Sequence, residues 1–368
     1  MEPRAESGDP PATPDDLGYE LPSTAIAQSP VEPRDAARLL VDCGDGVAHR
    51  RVSDLPALLG SGDVVVVNDT RVLPARLRLR RATGGAVEVL LLHERDDGDW
   101  EALVRPSRRL RPGEVVAPEH PVGPVGVGVQ GGSEAGPVDV EIRDDLGEGS
   151  RIVRVRTGGR PLLEVLDTIG AVPLPPYINT ALDDPERYQT VYAREPVSAA
   201  APTAGLHFTE QLLARVRDTG AELAAVELAV GLDTFRPISA ARLDDHDMHT
   251  EQYRVPAETQ RALSRAERVV AVGTTVVRCL ETWAATGEAS GRSSLFIRRP
   301  YPWRIVDALM TNFHMPCSTL LCLLDAFVGP RWRVLYAAAL EDGYRFLSFG
   351  DAMFVARSEV AAPTNRAS

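Results

Sequence analysis

The sequence predicts a layered α/β domain carrying an inserted small β-barrel. Three observations lead there. Short apolar runs alternate with helical stretches over residues 18–75 and again over 157–357. Between them, over 76–156, the texture changes to short alternating strands joined by Gly, Pro and Asp turns. The four valines Val64–Val67 form the continuous apolar run of a strand covered on both faces. Residues 1–17, rich in Pro, Asp, Glu and Gly, read as a disordered tail, and 358–368 as a second tail.

Taken in order, order begins near Tyr19. Residues 39–41 form a strand, Asp54 caps a short helix to Leu59, and Gly60 to Gly62 end it. The valine strand stops at Asn68-Asp69-Thr70-Arg71. Polar groups at the carboxyl end of a buried strand suit a ligand in an α/β sheet, and the same residues also favour an Asx turn. Barrel strands follow at 76–80, 86–92, 100–104, 125–129, 138–142 and 151–155. Arginines gather there in two runs, Arg76, Arg78, Arg80, Arg81 and Arg105, Arg108, Arg109, Arg111. Such forks grip phosphate, although a solvated face is the commoner meaning of a charge run. Residues 161–169 are helical and 173–178 extended.

Ala199 to Thr209 combines small residues with Pro202, Thr203, Gly205, His207 and Phe208. This uncharged loop carries one group that titrates near neutrality, so it reads as a site or as a buried turn with a satisfied histidine. A helix over 210–218 and a strand over 224–230 come next. His246, His249 and Glu251 lie close in sequence, but i and i+3 on a strand face opposite ways, so no metal is expected. Strand 268–272, the turn Gly273-Thr274-Thr275 and helix 276–285 with Arg278 and Glu281 make a βα unit. Its amides suit an anion or a ribose hydroxyl, and Thr-Thr is also an ordinary cap. Strand 305–310 ends at Thr311-Asn312-Phe313-His314, Ser318 caps a helix through Val328, and helix 331–342 and strand 352–355 close the domain.

Composition narrows the chemistry. The 368 residues are 44% hydrophobic and 25% charged, enough for a substantial core. The net charge of -12 gives no global field for nucleic acid. All 40 basic residues are arginine, which excludes lysine Schiff bases and a lysine-bearing P-loop. The four cysteines have neither disulfide nor zinc spacing, and no signal peptide or membrane span is visible; a cytoplasmic protein is expected.

Together these segments resemble the S-adenosylmethionine:tRNA ribosyltransferase-isomerases of queuosine biosynthesis. The resemblance runs from Tyr19 to Val355. It rests on Glu20-Leu21-Pro22, Val67-Asn68-Asp69-Thr70-Arg71, Leu174-Pro175-Pro176-Tyr177-Ile178, Arg187-Tyr188-Gln189-Thr190-Val191-Tyr192, Ala201-Pro202-Thr203-Ala204-Gly205-Leu206-His207-Phe208, Gly273-Thr274-Thr275, Thr311-Asn312-Phe313-His314 and Gly350-Asp351-Ala352-Met353. It implies transfer and isomerisation of the ribosyl group of S-adenosylmethionine onto 7-aminomethyl-7-deazaguanine at the tRNA wobble position, with adenine and methionine released. S-adenosylmethionine is the cosubstrate; no further cofactor and no metal are implied. On that basis His207 and His314 are expected to share the proton transfers. Asn68, Asp69, Arg71, Thr203, Gly205, Thr274, Thr275 and Asn312 are expected to bind substrate, with Arg278 on a carboxylate. The partners implied are S-adenosylmethionine and a tRNA anticodon, without a membrane. The sequence departs from the family pattern at Thr180, Ala229, Gly231-Leu232-Asp233, Arg299-Pro300 and Cys317. Two alternatives therefore stay open: a different deazapurine acceptor, or a catalytically silent RNA- or nucleoside-binding paralogue.

Overall fold

A computed structural model describes residues 10–357, except 43, 45, 96, 120–135, 148, 232–236 and 249. The chain forms two compact units. One comprises Met1–Arg71, Pro175–Glu195 and Ala201–Ser368, the other Val72–Leu174 and Pro196–Ala200.

The first unit is built on a nine-stranded sheet. In spatial order its strands are β16 (Ser290–Ser293), β14 (Glu251–Arg254), β13 (Glu222–Leu228), β3 (Asp63–Asn68), β15 (Arg268–Val272), β17 (Ala308–Asn312), β18 (Ala352–Ala356), β1 (Arg38–Asp42) and β2 (Val47–Arg51). The middle four, β13, β3, β15 and β17, run parallel, and β18 lies antiparallel to β17. All six residues of β3 are buried, as its valines require. Val65, Val67, Val270, Val272, Met310 and Phe354 share one face with Phe208 and with Leu212, Leu213 and Val216 of α2 (Glu210–Asp218). Alternation turns Val64, Val66, Val269 and Ala271 the other way. Helix α3 (Ala257–Leu263) packs on β13, and α4 (Thr274–Thr286) on β3, β13, β15 and β17. Helices α5 (Thr319–Val328) and α6 (Trp332–Glu341) pack on each other.

Several expectations need correction. Residues 12–17 are ordered rather than a tail: Leu17 is fully buried, its carbonyl accepts the Cys317 amide, and the Ala12 carbonyl accepts that of Leu243. One buried leucine outweighs the polar composition around it. The strand expected over 305–310 starts later, at Ala308, because the Glu281 carboxylate takes the amides of Arg304, Ile305 and Val306 at 3.0 to 3.1 Å. Strands β2, β14 and β16 and helix α3 were not foreseen.

The second unit is a closed barrel. Its ring is β5 (Arg76–Arg81), β6 (Ala86–Glu94), β7 (Trp100–Arg105), β10 (Ser150–Arg156), β9 (Asp139–Gly147) and β8 (Val115–Pro118), which pairs back onto β5. Strand β5 alternates as barrel sterics demand, Leu77 and Leu79 buried, Arg78 and Arg80 exposed. The unit reaches beyond 76–156: α1 (Leu162–Ile169) belongs to it, and β11 (Gly170–Ala171) pairs with β5. A Cβ at Gly170 would stand 1.8 Å from the Pro74 carbonyl oxygen, so only glycine lets that pairing form. A separate ribbon pairs β4 (Thr70–Val72) with β12 (Glu195–Ser198). The strand expected at 125–129 lies outside the described residues.

Candidate active site

The parallel strands β13, β15 and β17 end on the same side of the sheet, and the antiparallel β18 begins there. A cleft of about 610 Å³, open mouth included, lies at these ends. That size suits a nucleoside-sized ligand. Its walls are mainly apolar, from Val230, Pro202, Phe313, Met315, Leu320 and Leu347. Polar groups enter from four places. Thr203 comes from the turn Thr203–His207, Thr274 and Thr275 from the first turn of α4, Thr311, Asn312 and His314 from the end of β17, and Ser348 from the loop before β18.

Gly273 makes the α4 entry possible. It sits at φ 95°, in the left-handed region, and turns the chain from β15 into the helix. The first amides of a helix lack intrahelical acceptors and carry a positive dipole end. Among the described residues the buried Thr275 hydroxyl has no hydrogen-bond partner. Thr203 donates to the Asn312 side-chain oxygen at 2.9 Å, while the Asn312 amide donates to the Leu347 carbonyl at 3.2 Å. Tyr177 and Ser348 share a hydrogen bond of 2.7 Å.

His314 is 5% exposed, and burial pushes its imidazole down to about 3, so the ring is neutral at physiological pH. One ring nitrogen lies 3.2 Å from the Thr311 hydroxyl. Its backbone amide donates to the Tyr336 hydroxyl at 2.8 Å, and its carbonyl accepts from Tyr19, which fixes the ring's origin from both sides.

Six expected residues do not line the cleft. His207 has its two ring nitrogens 3.0 Å from the carbonyls of Ala204 and Gly350. Burial lowers its pKa more than those carbonyls raise it, and a neutral ring can donate to only one of them. The Asn68 side chain is spent on β13, donating to the Leu228 carbonyl at 3.0 Å and accepting its amide at 3.2 Å. Arg71 pairs with Glu186 near the surface. Gly205 is required by packing, since a Cβ there would stand 2.1 Å from the Tyr192 hydroxyl. Arg278 is buried against Glu251 and also donates to the Leu295 carbonyl at 3.2 Å, so no guanidinium edge is left for a ligand. Asp69 is likewise outside. Burial first, then Glu227, raises its carboxyl to about 6, and one of its oxygens is buried and unpaired.

No local signal in the sequence marks Tyr177 and Ser348, a hydroxyl pair formed across 171 residues. Glu251, which the sequence presents only as a possible metal ligand, has a structural part. Its Oε1 accepts the Gly231 amide at 3.0 Å while the carboxylate holds Arg278, so it fixes the approach to Val230. Among the described residues no His, Cys, Asp and Glu group is arranged to hold a metal ion. No helix among them is long and apolar enough to cross a membrane. The departures at Arg299 and Cys317 are accommodated. Arg299 pairs with Asp325 at 3.0 Å, and Cys317 occupies a left-handed turn at φ 56° whose carbonyl accepts the Ile238 amide. Asp233 lies outside the described residues.

A parallel sheet with its ligand-sized cleft beyond the strand ends defines an α/β enzyme of the strand-end type, here with a barrel unit in the same chain. The sequence pattern of the queuosine biosynthesis protein family matches residues 14–355. An S-adenosylmethionine:tRNA ribosyltransferase-isomerase of Rubrobacter xylanophilus is 52% identical over 344 residues, 93% of this chain and 97% of the relative. One from Thermus thermophilus is 49% identical over 92% of this chain and 97% of its own length. The crystal structure of the S-adenosylmethionine tRNA ribosyltransferase of Thermotoga maritima superposes with a TM-score of 0.51 at 33% identity, covering 92% of this chain and 99% of that one. The chain belongs to this family, as an S-adenosylmethionine-dependent tRNA ribosyltransferase-isomerase of queuosine biosynthesis.

Proposed function

We propose that the cleft binds S-adenosylmethionine and that its ribosyl group is transferred to 7-aminomethyl-7-deazaguanine at the wobble position of tRNA. The sugar is isomerised to an epoxycyclopentane, giving epoxyqueuosine-tRNA, adenine and methionine. The observation that supports this most is the Thr275 hydroxyl, buried without a partner at the start of α4 inside an apolar cleft. Leaving such a group unpaired costs about 1–3 kcal/mol, which a ribose hydroxyl or a carboxylate would relieve. Thr203, Asn312 and Thr274 supply further polar contacts to ribose and methionine groups, with no additional cofactor required.

The chemistry follows from the residues. The sulfonium acidifies the adjacent C5′ protons, and a neutral imidazole can take one. Burial keeps the His314 ring neutral and able to accept a proton, and places it in the cleft to relay one from C5′ to the departing adenine. The apolar walls keep the aminomethyl nucleophile neutral. His207 acts from outside the cleft, as a positioning residue for Ala204 and Gly350. A tRNA acceptor places the reaction in the cytoplasm.

The test is incubation with S-adenosylmethionine and tRNA bearing the aminomethyl base, followed by nucleoside mass spectrometry and an adenine assay. Epoxyqueuosine with stoichiometric adenine is expected. Adenine release without modified tRNA would point to another deazapurine acceptor, and neither product would overturn the reading.

A further inference from the structure

The two arginine runs of the barrel unit meet different fates. In the first, Arg76 pairs with Glu88 at 3.1 Å, Arg80 with Glu119 at 2.6 Å and Arg81 with Glu114 at 2.5 Å, while the exposed Arg78 has no ion pair among the described residues. Those on β10 are also engaged: Arg151 with Asp145, Arg154 with Asp99 and Arg156 with Asp139. In the second run, Arg105, Arg108 and Arg109 are exposed, and among the described residues their side chains have no ion pair or hydrogen bond. Residues 105–111 contain four arginines and no carboxylate.

The backbone beneath them is fixed. The short turn Ser107–Arg109 is followed by Leu110, 4% exposed, whose amide donates to the Ser107 carbonyl at 3.2 Å. The buried Arg151 donates to that same carbonyl at 3.0 Å. One arginine thus props the turn from inside while its neighbours project outward. A preorganised turn loses little entropy when its side chains are immobilised.

We propose that this turn, through Arg105, Arg108 and Arg109, holds the phosphate backbone of the RNA acceptor. The inference rests on the tRNA reading above and adds where the barrel unit meets it. A chain of net charge -12 repels a polyanion over much of its surface, so a locally uncompensated cationic turn is where one is tolerated. Planar guanidinium groups match phosphate oxygens two at a time and carry no base preference.

The experiment compares full-length R108A/R109A with R80A/R81A, which loses the same charge from the paired run. Each is assayed with S-adenosylmethionine and tRNA bearing the aminomethyl base, over a series of KCl concentrations. R108A/R109A is expected to raise KM for tRNA about 10-fold or more, with kcat and KM for S-adenosylmethionine within about 2-fold. The slope of log kcat/KM against log salt should become shallower by about 1.4–1.8, two phosphate contacts' worth. R80A/R81A should change KM for tRNA less than about 3-fold. Unchanged KM and slope in R108A/R109A, or equal effects of the two pairs, would overturn the proposal. A wild-type protein that leaves tRNA unmodified would refute the tRNA reading itself, a result distinct from an active enzyme indifferent to the turn.

Discussion

Thr275 and Asp69 both bury an oxygen that no group among the described residues satisfies, and they separate two uses of that condition. Thr275 lies in the cleft. Replacing its hydroxyl by the isosteric methyl, T275V, should raise the stability of the free enzyme by about 1 kcal/mol. It should also weaken S-adenosylmethionine about 10-fold. Urea unfolding and calorimetric titration read the two effects, and a variant that loses stability without losing affinity would give the residue a purely structural role. Asp69 lies outside the cleft, and its folded carboxyl titrates near 6, above its ordinary value of 3.8. At pH below 3.8 it is protonated folded or unfolded and costs nothing. As pH rises through 6 the fold must carry a buried charge, and stability is lost. D69N should therefore stabilise by about 1 kcal/mol at pH 8 and by almost nothing at pH 4. Equal gains at both values would exclude the carboxylate as the cause. Arg278 shows why single residues mislead. An arginine on a helix looks the same in sequence whether it faces a ligand or a glutamate on a separate strand, and here Glu251 takes it.

At the scale of elements, Glu281 ties α4 to the segment leading into β17. It is fully buried and accepts three successive amides, 304–306. Glutamine cannot reproduce this, because its NH₂ would oppose a backbone donor. E281Q should lower stability by about 2–4 kcal/mol, measured as a fall in urea midpoint at unchanged slope. A loss under about 0.5 kcal/mol would mean the segment is held by its other contacts. The elements that were legible share one property: their signal is local. The valines of β3, the Thr209 cap of α2 and the Ser318 cap of α5 each announce an element within a few residues. The same holds for Thr203, Thr274, Thr275, Asn312 and His314, polar groups placed where strands end, and these do line the cleft. Strands β2 and β16 were illegible because they are short, mostly exposed and polar. They are strands by virtue of the neighbours they pair with. His207 misled for a related reason: both of its partners are backbone carbonyls, one of them 143 residues away.

For the whole molecule, the cleft belongs entirely to the unit built on the nine-stranded sheet. Saturating S-adenosylmethionine should slow amide hydrogen exchange around 203–207, 273–276, 311–315 and 347–348 and leave the barrel strands β5 to β10 unchanged. Hydrogen exchange with mass spectrometry checks this; protection confined to the barrel would move the site out of the sheet unit. Subsequent addition of tRNA should then protect 105–110.

The order of strands across the large sheet has a consequence for biosynthesis. Strand β3 leaves the ribosome early, yet both of its sheet partners, β13 and β15, come from after the barrel. At ordinary translation speeds its four valines wait roughly ten seconds or more for a neighbour. Strand β18 enters between β17 and β1 only after residue 356 has emerged. A nascent chain stalled short of residue 352 carries a finished barrel and an open, valine-lined sheet, which makes it a natural client for chaperones and a target for degradation.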